Sequence, residues 1–231
     1  MNGVRVRNPK LLVRRDAEIE ISPTRRFVSR GGEKLDPILT QWNINPEGLV
    51  FIDAGSSTGG FTDCLLKRGA ILVYAVDVGY NQLDYTLRND ERVRVYERTN
   101  IMSLDDASLD PRPDAAVSDL SFRSILGASS RLLRLVSQGW LIGLVKPQFE
   151  WRNPEDDFDG VIRRNDVLLR VLSDLVNQLW ENGCYVTRIA LSPIRGRKGN
   201  REFFCLLKQK PVGSKKTIER EIGSLVFERV T

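Results

Sequence analysis

Residues 53–62 read Asp53-Ala54-Gly55-Ser56-Ser57-Thr58-Gly59-Gly60-Phe61-Thr62, directly behind the apolar run Leu49-Val50-Phe51-Ile52. A short apolar strand that runs into an acid and a glycine-rich turn makes a ligand site at the carboxyl end of a sheet. The spacing G-x-x-x-G-G matches neither the dinucleotide fingerprint G-x-G-x-x-G nor the phosphate loop G-x-x-x-x-G-K-[ST]. Phe61 stands where a phosphate loop needs its lysine, and Ser56-Ser57-Thr58 is bulkier than a pyrophosphate turn. The loop instead suits a ligand with a carboxylate and an ammonium, which Gly55 and Gly59 would let approach the backbone closely.

Outward from this turn, strand and helix patterns alternate. Strands are expected at 49–52, 71–76, 93–96, 115–118, 140–145, 184–191 and 202–208, and helices at 33–41, 59–69, 81–89, 121–137 and 165–182. Leu168, Leu169, Val171, Leu172, Leu175, Val176 and Leu179 give the last helix a clear apolar stripe. Such alternation predicts an α/β protein with a mostly parallel, Rossmann-like sheet of seven strands. Residues 193–200 are too few for a helical crossover, so the last two strands should form an antiparallel C-terminal hairpin.

The second strand ends Tyr74-Ala75-Val76-Asp77, placing an acid 24 residues beyond Asp53. An acid at that strand end can accept hydrogen bonds from both ribose hydroxyls of an adenosine. Turn and acid together resemble the two marks of a class I S-adenosylmethionine-dependent methyltransferase. The cofactor-binding candidates are Asp53, Gly55, Ser56, Ser57, Thr58, Gly59, Gly60, Phe61, Asp77, Val78, Gly79, Asn100 and Asp119.

Composition narrows the chemistry. The 231 residues contain no histidine, which excludes His-based acid/base work, Ser-His and Cys-His nucleophiles and the usual zinc sets. The three cysteines, Cys64, Cys184 and Cys205, sit in apolar surroundings without a C-x-x-C pair and are expected to be buried free thiols. No apolar run approaches the roughly 20 residues of a spanning helix, and the first residues do not pattern as a secretory leader. A cytoplasmic protein without a membrane partner is expected. The net charge is +5. It is concentrated in two places: residues 1–34 hold nine Lys/Arg against four acids, and Arg195, Arg197, Lys198 and Arg201 cluster near the far end. Two basic clusters flanking one cleft suit a polyanion. The candidates for RNA contact are Arg25, Arg26, Arg30, Arg195, Arg197, Lys198 and Arg201.

Three further stretches end or open strands with reactive side chains: Ser118-Asp119-Leu120-Ser121-Phe122, Leu144-Val145-Lys146-Pro147-Gln148-Phe149-Glu150 and Arg201-Glu202-Phe203-Phe204. A fourth, Ser29-Arg30-Gly31-Gly32-Glu33-Lys34-Leu35, precedes the core and could fold back over the cleft. Singly, each has a structural reading: Lys146 as a snorkelling strand-end lysine, Glu202 as a surface acid, Asp119 as the cap of helix 121–137. Their joint occurrence at consecutive strand ends points to a site.

On these residues the chain resembles the TlyA/haemolysin A family of ribosomal RNA methyltransferases, within the FtsJ/RrmJ-like group of ribose 2′-O-methyltransferases. The resemblance covers about residues 10–210 and rests on DAEIEI (16–21), FVSRGGEKL (27–35), DAGSSTGGFTD (53–63), AVDVGYNQLDYTLR (75–88), SDLSF (118–122), LVKPQFE (144–150) and SPIRGRKGNREFF (192–204). It implies a catalytic tetrad of Lys34, Asp119, Lys146 and Glu202, S-adenosylmethionine as cofactor, no metal, and ribosomal RNA or ribosomal subunits as partner, with cytidine as the target. A ribose hydroxyl needs a base, and without histidine a lysine deprotonated through burial or a neighbouring cation can serve. Lys146 is the expected base and Asp119 its orienter, with Lys34 and Glu202 positioning the hydroxyl.

The expected organisation is a remnant of an S4-like RNA-binding module and linker at 1–24, the methyltransferase domain at 25–210 and a tail at 211–231. The resemblance implies a complete S4-like module, of which residues 1–21 pattern as the last β portion only. The alternative is an RNA- or ribosome-binding protein that keeps the fold but turns over little without that module. A cytolysin is disfavoured, because no spanning or strongly amphipathic membrane segment is visible.

Overall fold

The computed structural model describes Ala17 and residues 26–121, 124–154 and 157–227. The β portion expected before residue 22 and the candidate Arg25 lie outside the described residues.

Seven strands form one sheet: β1 (Val50–Ala54), β2 (Leu72–Val76), β3 (Val93–Tyr96), β4 (Ala115–Ser118), β5 (Trp140–Val145), β6 (Tyr185–Leu191) and β7 (Phe203–Lys208). Their order is β3-β2-β1-β4-β5-β7-β6. The first five pair in parallel, with Ala54 opposite both Val76 and Ser118. β7 runs antiparallel between β5 and β6, so the expected hairpin wedges its second strand into the sheet. The chain lays strands outward from β1 to β3, then returns to the other side of β1 with β4. That reversal opens a crevice at the carboxyl ends of β1 and β4.

The central strands are buried on both faces, as their continuous apolar runs require. Period-two alternation sorts them: Ile52, Tyr74, Val76 and Phe203 face one core, Phe51, Val73, Ala75 and Phe204 the other. The first face is covered by α4 (Ile125–Leu135), α6 (Asn165–Glu181) and α7 (Lys215–Phe227), the second by α1 (Arg30–Gln41) and α2 (Gly60–Lys67). α6 alone buries seven apolar side chains, from Val167 to Leu179, each stabilising by about 1.5–3 kcal/mol. Two short helices, α3 (Tyr85–Arg88) and α5 (Pro147–Glu150), follow β2 and β5.

Boundaries differ from expectation where caps intervene. Asp84 accepts from the Thr86 amide and starts α3 later than the 81–89 pattern, while Ser124 caps α4 and leaves Asp119 free of a capping role. The larger difference is at the end. Residues 215–227, read as tail, form α7, with Ile218, Ile222 and Val226 buried at helical spacing. Of the five apolar residues in this helix only these three are buried, a weak sequence signal, but on one stripe they suffice to dock the helix on α6 and β6. Cys64, Cys184 and Cys205 are buried and free. Among the described residues no helix is long and apolar enough to cross a membrane.

Candidate active site

A cleft of about 1220 Å³ lies over the carboxyl ends of β1, β2, β4 and β5. Its floor is the glycine turn. Gly55 has φ +82°, and a Cβ there would come within 2.8 Å of the Asp119 carbonyl oxygen, so only glycine fits between β1 and β4. A Cβ on Gly60 would lie 2.2 Å from Ser29 Oγ and 2.9 Å from the Gly31 Cα. The glycines of SRGGEKL and DAGSSTGG therefore let the N-termini of α1 and α2 touch. This contact holds α1, with Lys34, against the cleft.

Asp53 is fully buried at the end of β1. Its Oδ2 accepts from the Thr62 amide (3.0 Å) and hydroxyl (2.7 Å), while Oδ1 is buried without a partner and Asp53 lines the cleft. Burial pushes this carboxyl up to about 7; the Thr62 bonds oppose the rise and the charges of Asp119 and Asp77 add to it. Asp77 accepts the amides of Ser57 (2.8 Å) and Gly79 (2.6 Å), tying the second strand end to the turn. Each oxygen keeps a further lone pair for a ligand. Ser56, Ser57, Thr58, Gly60, Phe61, Val78, Gly79 and Asn100 line the same cleft. Gly59 does not line it; a Cβ there would strike Leu87 at 2.3 Å, so its role is to let the turn pack on α3. Asn100 also accepts from the Met102 amide, fixing the loop that carries it.

On the opposite side stand two ion pairs. Lys34 Nζ lies 2.6 Å from Glu202 Oε2, both buried. Lys146 Nζ lies 2.6 Å from Asp119 Oδ1 and donates to Ser121 Oγ at 2.9 Å. Oδ1 of Asp119 meets no donor at hydrogen-bonding angles, so its contact with Lys146 is electrostatic, and the directed bond of Lys146 goes to Ser121. The charged neighbour of Lys146 is thus an anion. A Cβ on Gly196 would lie 2.5 Å from Glu202 Oε1, so that glycine makes room for the carboxylate. All four charged residues line the one cleft.

The basic candidates divide. Arg30 donates to the Arg195 carbonyl, so the two clusters meet at one rim, and Arg197 and Lys198 line the cleft beside Arg30. Arg26 is held by Asp36 at 2.7 Å and lies over the Phe27 ring. Arg201 turns inward: it donates to the Val226 carbonyl (2.9 Å) and to Asn165 Oδ1 (2.5 Å), joining α7 to α6. Sequence reasoning missed Ser121, Gln148 and Asn200. Asn200 is buried, donates to the Gly160 carbonyl and accepts from the Ile162 amide, stapling residues 160–162 to the loop before β7. Its place in the motif was the one available signal.

A family model described as FtsJ-like methyltransferase matches residues 27–209, spanning every element of the cleft. The chain belongs to the FtsJ-like methyltransferase family. This FtsJ-like chain is 38% identical over 88% of its length to Hemolysin A of Brachyspira hyodysenteriae, covering 85% of that protein. It is 40% identical over 80% of its length to the 16S/23S rRNA (cytidine-2′-O)-methyltransferase TlyA of Mycobacterium tuberculosis, covering 69% of it. A solved structure described as a hemolysin, from Streptococcus thermophilus, superposes with TM-score 0.80 at 36% identity, over 89% of this FtsJ-like chain and 76% of that one.

Proposed function

We propose that the protein is an S-adenosylmethionine-dependent RNA methyltransferase that modifies a ribose 2′-hydroxyl of ribosomal RNA, at cytidine. The observation that carries this reading is the pairing Lys146–Asp119 and Lys34–Glu202, each at 2.6 Å, in one cleft with the glycine turn.

The residues present fit the cofactor. The unpaired, buried Oδ1 of Asp53 supplies an acceptor for an ammonium, and Asp77 offers acceptors for ribose hydroxyls. When bound, S-adenosylmethionine supplies a methyl group already activated on a positively charged sulfur. The protein's remaining task is placement and proton removal. Lys146 is the group placed to take the proton of the 2′-hydroxyl, and Asp119, 2.6 Å away, balances the charge of the ammonium that results. Ser121 fixes the direction of the Lys146 side chain. Lys34 donates toward the attacking oxygen while Glu202 holds Lys34 in place. Arg30, Arg197 and Lys198 at the rim draw in phosphates.

Transfer of tritium from labelled S-adenosylmethionine to unmodified ribosomal RNA tests the reading. The wild type should label the RNA and Lys146→Ala should not. Binding of RNA and cofactor without transfer would favour the non-catalytic binding protein instead.

A further inference from the structure

Gln148 is an unused polar group in the cleft. It sits on α5, two residues beyond Lys146, and lines the cavity. Its Oε1 is buried and has no hydrogen-bond partner. An orphaned buried amide oxygen is destabilising, and native proteins keep such groups where something else satisfies them. Strand order says on which side it acts. The turn after β1 and the acid after β2 occupy one half of the cleft; β5 lies beyond β4, away from β2. Gln148 therefore stands on the acceptor side, beside the Lys146–Asp119 pair. Phe158, held edge-on by Trp151 at 4.9 Å, adds an aromatic wall to that cavity.

We propose that the Gln148 carboxamide reads the base of the nucleotide whose ribose is methylated, its Oε1 accepting from an exocyclic amine. The proposal rests on the methyltransferase reading above and adds the residue that selects the nucleotide. An amide offers an acceptor and a donor side by side, which match an amine and the adjacent ring nitrogen on a base edge. An amine donating to Oε1 while the adjacent unprotonated ring nitrogen accepts from Nε2 selects cytosine or adenine over uracil, which carries a carbonyl oxygen in place of the amine. An unstacked base recognised by hydrogen bonds and an aromatic face is the usual route to sequence-specific RNA recognition.

The test uses the full chain, tritiated S-adenosylmethionine and unmodified ribosomal RNA transcripts. The labelled nucleotide is mapped, and transcripts are made with each of the other three bases at that position. The wild type should prefer an amine-bearing base to uridine. Gln148→Met should lower kcat/KM on the preferred transcript by roughly 10- to 100-fold, flatten the base preference and leave the affinity for S-adenosylmethionine unchanged. Gln148→Glu keeps an acceptor, loses the donor and is near-isosteric; it should lose rate on the preferred transcript too, and it carries the test should the Met variant fail to fold. Variants with wild-type rate and preference overturn the role of Gln148, as does weakened cofactor binding, which would place the residue on the donor side. A wild type that transfers no label overturns the methyltransferase reading instead.

Discussion

Lys34 on the first helix reaches Glu202 at the mouth of β7 across 168 residues of sequence, with Nζ 2.6 Å from Oε2 and both residues buried. A buried pair of this kind is costly to halve, because the surviving charge stays desolvated. Glu202→Gln or Lys34→Met should destabilise the fold by about 3–5 kcal/mol, read from urea denaturation, and should cut methyl transfer. The double variant Lys34→Met/Glu202→Leu should recover much of the stability and none of the activity. Equal additive losses would show that the pair is not coupled.

The Gly31–Gly60 contact makes a second prediction. Gly60→Ala places a methyl 2.2 Å from Ser29 Oγ and 2.9 Å from a backbone carbon of the partner helix. Overpacking of this sort costs about 1–3 kcal/mol, and relief requires α1 to lift from α2, carrying Lys34 with it. The variant should show a lowered Tm by calorimetry and a kcat loss larger than its loss of cofactor affinity.

Asp53 should make cofactor affinity depend on pH. Its carboxyl is raised by burial to about 7, well above the value of an unfolded chain near 3.8. Between those values the folded protein holds a proton that the unfolded chain has released, so this group's contribution to stability falls as pH rises from about 4 to about 7 and is then constant. An ammonium at Oδ1 favours the ionised form, so S-adenosylmethionine affinity should rise through pH 7 and level off above it. Calorimetric titration at pH 6 and pH 8 should show proton release at the lower pH. Asp53→Asn should bind more weakly and lose the pH slope.

The rim and the inward arginine should separate cleanly. Arg197→Ala and Lys198→Ala should weaken RNA binding and each lower the salt slope by about one counterion. Arg201→Ala should leave that slope alone and lower Tm, because its guanidinium joins the Val226 carbonyl to Asn165.

These contrasts show what could be read from residues alone. Strand limits, the antiparallel ending and the strand-end positions of Asp53, Asp77, Asp119 and Lys146 follow from local patterning: apolar runs, turn glycines and chemistry at run ends. α7 was missed because its docking depends on three side chains whose partners lie on α6 and β6. Arg26 and Arg201 read as free charges in sequence because Asp36 and the α6–α7 junction approach them only in the folded chain. The Lys146–Ser121 bond and the orphaned Oε1 of Gln148 are distances between separate loops, which no periodicity encodes.

The most direct test follows the labelled methyl group. Ribosomal RNA methylated with tritiated S-adenosylmethionine is hydrolysed in alkali, which cuts the chain only where the 2′-hydroxyl is free. Label should appear in an alkali-resistant dinucleotide with the wild type and be absent with Lys146→Ala. Label in a mononucleotide bearing a methylated base, or equal labelling by Lys146→Ala, would contradict the account.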